Sequence, residues 1–187
     1  MDAIKALHNR VSSIRLTEPG PTKKVLDNIK KAALRAADHG RLRPWRFLVI
    51  EGEDRKKLGD LFVVAEKQKT KDLPQKIKEI SEKKALRAPT IIVVIACIKE
   101  HPRVPEIEQL ISAGAAAQNM LNAAYSQKIG AIWRTGEAAY SSVFSAGLNL
   151  TINEKIIGFL YLGTTSDSQK KKTVQLNPSE YFENWPV

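Results

Sequence analysis

The chain has 187 residues, of which 43% are hydrophobic, and we expect one domain over residues 1–187 with a sizeable core. No apolar run approaches the roughly 20 residues that span a bilayer, and the start of the sequence does not resemble a secretory signal. The net charge of +10 permits nucleic-acid binding, but no nucleic-acid motif accompanies it. The single cysteine, Cys97, can form no internal disulfide, so we expect a cytoplasmic protein.

The first helix is predicted to follow an Asp2 cap and to end near Asn9, with Ile4 and Leu7 facing inward. Arg10, Val11 and Ser12 come next, so a guanidinium group and a hydroxyl lie close together, and both are donors that a phosphate accepts. Thr22 is expected to cap a second helix.

The stretch from Ala32 to Gly52 joins the end of the second helix to a predicted buried strand over Arg46–Glu51. The polar segment between them holds three arginines and a histidine. These residues are Arg35, His39, Arg41 and Arg43. Cationic donors on a loop between two buried elements suit an anionic ligand.

Helices are predicted over Glu53–Lys69 and Gln75–Leu86. Thr90–Ile98 is β-branched and apolar on both faces, which predicts the central strand of a covered sheet. A long helix over Glu106–Gln127 follows. Its middle, Ser112–Ala117, has very small side chains that allow close helix contact, either within the chain or across a dimer interface. Gly130 is expected to end this helix in a left-handed cap.

A short strand over Ala131–Trp133 is predicted to lead into Arg134, Thr135 and Gly136. A helix over Ser141–Leu148 and a core strand over Lys155–Gly163 complete the predicted elements. The polar tail contains the run Lys170–Lys172, which is either a basic tail or a phosphate contact. Its aromatic residues, Tyr181, Phe182 and Trp185, are expected to pack on this subunit or on a partner.

Known catalytic motifs are missing from the sequence. Its histidines, His8, His39 and His101, have no metal-ligand spacing among them, so we expect no metal site. There is also no nucleophile elbow, phosphate loop or dinucleotide fingerprint. The separated clusters of arginine, hydroxyl and backbone donors could instead hold a phosphorylated planar cofactor, which would itself carry out the reaction.

The chain resembles the FMN-dependent nitroreductase family, within it the small bacterial NAD(P)H nitroreductases, over nearly its whole length. The resemblance is carried by the joint order and spacing of several stretches: Met1-Asp-Ala, Asn9-Arg10 with Ser12, Arg15-Leu16, Glu18-Pro19, Arg35-Ala36, Asp38-His39, Pro44-Trp45, Val49–Gly52, Arg87-Ala-Pro89, Ser112-Ala-Gly114, Gly130–Gly136 and Ile157–Gly163. It implies an α+β fold, an α/β/α sandwich with a mixed, largely antiparallel central sheet. It also implies an intertwined homodimer with FMN at the interface.

The resemblance also assigns cofactor contacts. Arg10 and Ser12, with Val11 between them, match positions that bind the FMN phosphate, and one of Lys170–Lys172 matches a late basic phosphate contact. Arg35 and His39 match further FMN contacts that reach from the partner subunit. The segment that lines the isoalloxazine ring is matched by Trp133, Arg134 and Thr135, with Gly136 offering its backbone N–H to the ring nitrogen N5. Arg134 has the clearest physical role, because a cation near N1 favours the reduced flavin.

The implied reaction transfers hydride from NADH or NADPH to FMN and then electrons to an acceptor such as a nitroaromatic or quinone, with ping-pong kinetics. His39 is the one candidate acid or base. Two alternatives remain: another reaction on the same fold, such as dehalogenation or flavin fragmentation, and a basic nucleic-acid-binding protein. Close relatives commonly carry arginine where Val11 stands and glutamine where Arg43 stands.

Overall fold

The structure is a computed structural model that describes residues 1–68, 70, 72–165 and 173–185. Its helices are α1 Ala3–Asn9, α2 Lys23–Ala33, α3 Asp54–Lys67, α4 Gln75–Lys84, α5 Glu106–Ser126 and α6 Ser142–Gly147. Its strands are β1 Trp45–Glu51, β2 Thr90–Cys97, β3 Gly130–Arg134 and β4 Glu154–Gly163. Short 3-10 turns cover His39–Arg41, Glu137–Tyr140 and Pro178–Glu180.

The four strands form one sheet in the order β1-β2-β4-β3, and each pairing is antiparallel. β2 is interior to the sheet and is buried almost throughout, as its two apolar faces predict. One face of the sheet packs on α3 and α6, where the rings of Phe62, Phe144 and Phe159 lie 4.8–5.9 Å apart. The other face packs on α2 and α5. The predicted α+β fold with a largely antiparallel sheet is therefore confirmed.

The small residues of α5 make their close contacts within this chain. Ala113, Ala116 and Ala117 are fully buried, and α5 lies against α2 and against the sheet. The Ser112 hydroxyl donates to the carbonyl oxygen of Ala37 at 2.5 Å, which fixes the segment after α2 against α5. The small side chains thus let a helix pack closely on its own α2 and sheet, and they do not by themselves require a second subunit.

Two local predictions were wrong. Asp2 caps α1 as expected, but Ile4 and Leu7 are 57% and 55% exposed, and only Ala6 of this helix is buried. The left-handed residue after α5 is Lys128, with φ +64°, and not Gly130. Gly130 instead begins β3, where a Cβ would lie 2.7 Å from Leu16 Cδ2, so this glycine serves close packing.

Within the described residues, no helix is both long and apolar enough to cross a membrane. The same part of the chain holds no cluster of three or more histidine, cysteine or acidic side chains that could bind a metal ion.

Candidate functional site

Two clefts, of about 420 and 440 Å³, meet at the end of β3 and share Arg87 and Arg134. The first, which we call the β3 cleft, has an aromatic wall of Phe62, Phe159 and Tyr161. The second is lined by the segment from Ile14 to Leu16, together with Leu86 and the two shared arginines. The joined clefts therefore combine an aromatic wall with two guanidinium groups, and the β3 cleft also contains Glu66, Lys84 and Glu137.

The pairing of β3 with β4 decides which side chains reach the β3 cleft. Arg134 pairs with Phe159 and Trp133 with Leu160, and paired residues of antiparallel strands point to the same face. Arg134 therefore lies on the α3 face, next to Phe159, whereas the Trp133 indole lies on the α5 face. That indole donates to the carbonyl oxygen of Ile157 at 3.3 Å and covers Gly158, where a Cβ would lie 2.1 Å from Nε1. The half-buried indole thus packs on the α5 side of the sheet, and part of it also lines the β3 cleft.

Arg134 carries an unsatisfied donor. Its Nε is buried and has no hydrogen-bond partner among the described residues. An unpaired buried donor costs free energy unless a ligand or water satisfies it, so this N–H is available to a hydrogen-bond acceptor on a ligand. Burial raises the pKa of the neighbouring Tyr161, and the positive charges of Arg87 and Arg134 offset part of that rise. Both cations therefore lie close to the Tyr161 phenol inside the β3 cleft.

The turn after β3 leaves backbone open to a ligand. Gly136 has φ +64° and ψ −179°, a conformation that residues with a Cβ rarely adopt. No atom lies within 4 Å of the position its Cβ would occupy, and Thr135 and Gly136 are both exposed. A ligand in the β3 cleft can therefore approach this backbone closely.

The segment that holds the predicted phosphate contacts runs beside β3. The Ser13 backbone N–H donates to the carbonyl oxygen of Ala131 at 2.9 Å. Arg10, Val11 and Ser12 are half-buried, and Arg10 makes no ion pair with any residue that the structure describes. The Thr173 hydroxyl donates to the carbonyl oxygen of Asn9 at 3.3 Å. The predicted contact from Lys170–Lys172 lies outside the described residues.

Arg35 and His39 lie elsewhere. Arg35 lines a separate cleft of about 400 Å³ with Trp45, the first residue of β1. β1 and β3 are the two edges of the sheet, so Trp45 and Arg134 are separated by roughly 14 Å across the strands and about 10 Å along them. His39 Nδ1 lies 2.6 Å from Glu108 Oε2, so this imidazole is already engaged by a carboxylate. Within one chain, the predicted FMN contacts Arg35 and His39 therefore lie far from the predicted contact Arg134.

Sequence reasoning did not select three residues that the fold brings to the clefts: Arg15, Arg87 and Tyr161. All three stood in stretches that carry the family resemblance, but none of them was assigned a role in the site. Their convergence on Arg134 depends on tertiary packing, namely the pairing of β3 with β4, the segment beside β3 and the packing of α4 on α3, which no local pattern reveals. The sequence did contain one indication for Arg87: this arginine stands immediately before the Ala88-Pro89 turn, which is buried.

The chain is similar to known proteins in both sequence and structure. Residues 10–164 match the Nitroreductase family. YdjA of Escherichia coli K12, a candidate NAD(P)H nitroreductase, is 40% identical over 177 residues, which are 95% of this chain and 94% of that protein. The crystal structure of a nitroreductase-like family protein from Bacillus cereus superposes with a TM-score of 0.83 at 24% identity, over 100% of this chain and 97% of that one.

A third structure has the same fold at lower identity. It is the FMN-dependent nitroreductase NfnB of Mycobacterium smegmatis in complex with NADPH, with a TM-score of 0.76, 14% identity and 97% of each chain covered. Likeness at this level of identity supports the fold alone. The extent of the family match and the 40% identity to YdjA show more: this chain belongs to the Nitroreductase family.

Proposed function

We propose that this chain is an FMN-dependent oxidoreductase that uses NADH or NADPH to reduce an electron-poor acceptor such as a nitroaromatic or quinone. Its family membership supports an NAD(P)H-dependent oxidoreductase. The structural observation that carries the proposal is the buried, unpartnered Arg134 Nε at the junction of two clefts. We take residues 1–187 as one FMN-binding domain, acting as a cytoplasmic homodimer.

The residues present fit FMN. An aromatic wall, an open backbone at Gly136 and guanidinium donors suit an aromatic ring system that carries an anionic tail. Arg10 and Ser12 would hold the phosphate, and the Thr135–Gly136 backbone would face the ring. FMN, when bound, supplies the redox chemistry by accepting hydride and passing electrons on.

Arg134 contributes electrostatics to this reaction. Its guanidinium is positively charged at all physiological pH values and has at least one donor, Nε, free for a ligand. A fixed positive charge stabilises the negative charge that reduction places on a flavin ring, because it needs no reorganisation when that charge appears. His39 is the candidate for proton transfer, but its pairing with Glu108 favours a role in orienting the cofactor.

The reaction is tested by anaerobic mixing of the FMN-loaded protein with NADH or NADPH. We expect the flavin absorbance band to bleach, and then to return when a nitroaromatic or a quinone is added. Because one pocket serves both substrates in turn, steady-state kinetics should be ping-pong. Bleaching without reoxidation by either acceptor would favour another reaction on the same fold, and no bleaching at all would contradict an NAD(P)H-dependent enzyme.

A dimer would bring the two separated groups together. Arg35 and His39 lie at the opposite sheet edge from Arg134, so a shared site needs these residues from a second copy. The chain also exposes large apolar side chains that a partner could cover: Ile4, Leu7, Ile107, Ile111, Tyr181, Phe182 and Trp185. Ile107 and Ile111 flank Glu108, the residue that pairs with His39. This surface and the FMN site would therefore be contiguous.

We expect Ile111→Glu to weaken the dimer and FMN binding together, because a charge would enter the proposed interface. Ile111 is 64% exposed in the single chain, so the substitution should not disturb its own core. Sedimentation equilibrium and FMN titration measure the two effects. Ile152→Glu is the matched control, since Ile152 is 95% exposed on a turn and should change neither. A monomeric Ile111→Glu variant that keeps full FMN affinity would rule out a shared site.

A further inference from the structure

The loop between α2 and β1 holds two arginines in an unusual backbone conformation. Arg41 has φ +55° and Arg43 has φ +49°, with Gly40 beside them at +70°. A left-handed conformation costs a residue with a Cβ roughly 1–2 kcal/mol, and such strain tends to persist where function requires it. Glycine or asparagine would adopt this backbone conformation more easily, so the backbone alone does not explain why arginine stands at these positions.

Hydrogen bonds hold this loop in place. The Asp38 carboxylate accepts from the backbone N–H groups of Leu42 and Arg43 at 3.1 and 2.8 Å. The Lys99 ammonium donates to the carbonyl oxygen of Leu42 at 2.5 Å. The stems of Arg41 and Arg43 therefore start from fixed points, which lowers the entropic cost of binding a ligand.

These arginines line the cleft of about 400 Å³ that also contains Arg35, Asp38 and Trp45. We call it the loop cleft. Within the described parts of the chain, none of the three arginines forms an ion pair with an acidic side chain. Asp38 is the single acidic residue of the lining, and its carboxylate oxygens are engaged by the loop backbone. The loop cleft is thus a positively charged site with its guanidinium groups available.

We propose that the loop cleft binds the 2′-phosphate of NADPH and makes this enzyme prefer NADPH to NADH. The inference rests on the proposed function. Guanidinium forks fit a phosphate monoester dianion by paired, charge-assisted hydrogen bonds. Under the proposed function, the flavin phosphate is assigned to the segment from Arg10 to Ser12. Among the ligands of the proposed reaction, the phosphate monoester that remains is the 2′-phosphate, the group by which the two reductants differ.

The position of the loop cleft fits this role. Arg35, which lines it, is also the residue proposed to reach the flavin of the partner subunit, so the loop cleft borders the shared pocket. Trp45 is half-buried in the lining and offers a flat apolar surface to the adenine ring. The 2′-phosphate, attached to the adenosine ribose, would then meet Arg41 and Arg43.

The test compares the two nicotinamides on the FMN-loaded wild type and on an Arg41→Asn/Arg43→Asn double variant. Asparagine tolerates the left-handed backbone, so the loop should keep its fold. We expect the wild type to favour NADPH by at least about tenfold in kcat/KM, and the variant to lose this preference through a higher KM for NADPH. Activity with NADH should stay within about twofold. Arg43→Lys keeps the charge without the fork and should fall between the two.

A binding measurement separates this inference from the proposed function. Calorimetry on the FMN-loaded protein should show 2′,5′-ADP binding at least about tenfold more tightly than 5′-AMP, with the difference lost in the double variant. Arg103→Asn is the control, because it removes an exposed arginine that does not line the loop cleft, and it should change neither ratio. Equal binding of the two nucleotides, or a preference that survives in the double variant, would overturn the inference. If 2′,5′-ADP binds more tightly than 5′-AMP but neither NADH nor NADPH bleaches the flavin band, the result would contradict the proposed function alone.

Discussion

Replacing Arg134 by methionine should weaken FMN binding by about 30- to 100-fold, the effect of losing one charge-assisted contact to a half-buried guanidinium. The same change should leave the ligand-free protein at least as stable as the wild type. Arg134 Nε is buried without a partner among the described residues, so methionine removes an unsatisfied donor and roughly conserves the side-chain volume. Fluorescence titration with FMN and urea unfolding of the apoprotein measure the two quantities.

Lys83→Met is the matched control for Arg134→Met. Lys83 is exposed near the end of α4 and lines neither of the joined clefts, so its loss removes the same charge without a ligand contact. We expect FMN affinity to change by less than about twofold in this variant. If Arg134→Met instead lowers apoprotein stability and leaves FMN affinity intact, Arg134 is a structural residue and the site is wrongly placed.

Glu154→Gln should destabilise the protein by about 2–3 kcal/mol near neutral pH. Glu154 joins three parts of the sheet: it accepts from Arg46 at 2.5 and 2.8 Å, from the Thr151 backbone N–H at 2.9 Å and from the Cys97 thiol at 3.4 Å. The Arg46 guanidinium is the main reason that the pKa of Glu154 falls to about 2 from an ordinary 4.5. The glutamine would leave the Arg46 charge without its carboxylate.

The pH dependence of this effect has a definite sign. A pKa that is lower in the folded than in the unfolded state contributes stability that is fully present above about pH 5 and is lost as the pH falls towards 2. The stability difference between wild type and Glu154→Gln should therefore shrink over this interval, as measured by urea unfolding at fixed protein and FMN concentrations. Glu53→Gln, whose pair with Lys56 is exposed, should show no measurable change. A difference that is constant with pH would mean that packing, and not charge, explains it.

Local patterns predicted most of the fold. β2 was predictable because an apolar strand on both faces can only be interior, and Asp2 and Thr22 start their helices as capping residues do. The exposure of Ile4 and Leu7 was not predictable, because helical periodicity identifies an apolar face but does not show whether the same chain covers it. Lys128 shows the same limit: a lysine in a left-handed cap follows from tertiary packing, which local propensity does not contain.

The candidate site was less accessible from sequence. The segment from Trp133 to Gly136 was found through the resemblance, but only the strand pairing shows that Arg134 lies on the α3 face of the sheet while the Trp133 indole packs on the α5 face. Arg87 and Tyr161 come from distant parts of the chain, and their meeting depends on the sheet order. Arg35 and His39 lie at the other sheet edge, so their predicted role stays a prediction that depends on a second subunit.

The flavin content of the purified protein tests the central claim most directly. We expect a yellow protein that releases one FMN per chain on denaturation, hence two per dimer, and that free FMN stabilises against thermal unfolding. A colourless protein that FMN does not stabilise would contradict the proposed function. If such a protein also bound DNA with a steep dependence on salt, its charge of +10 would be the feature that matters instead.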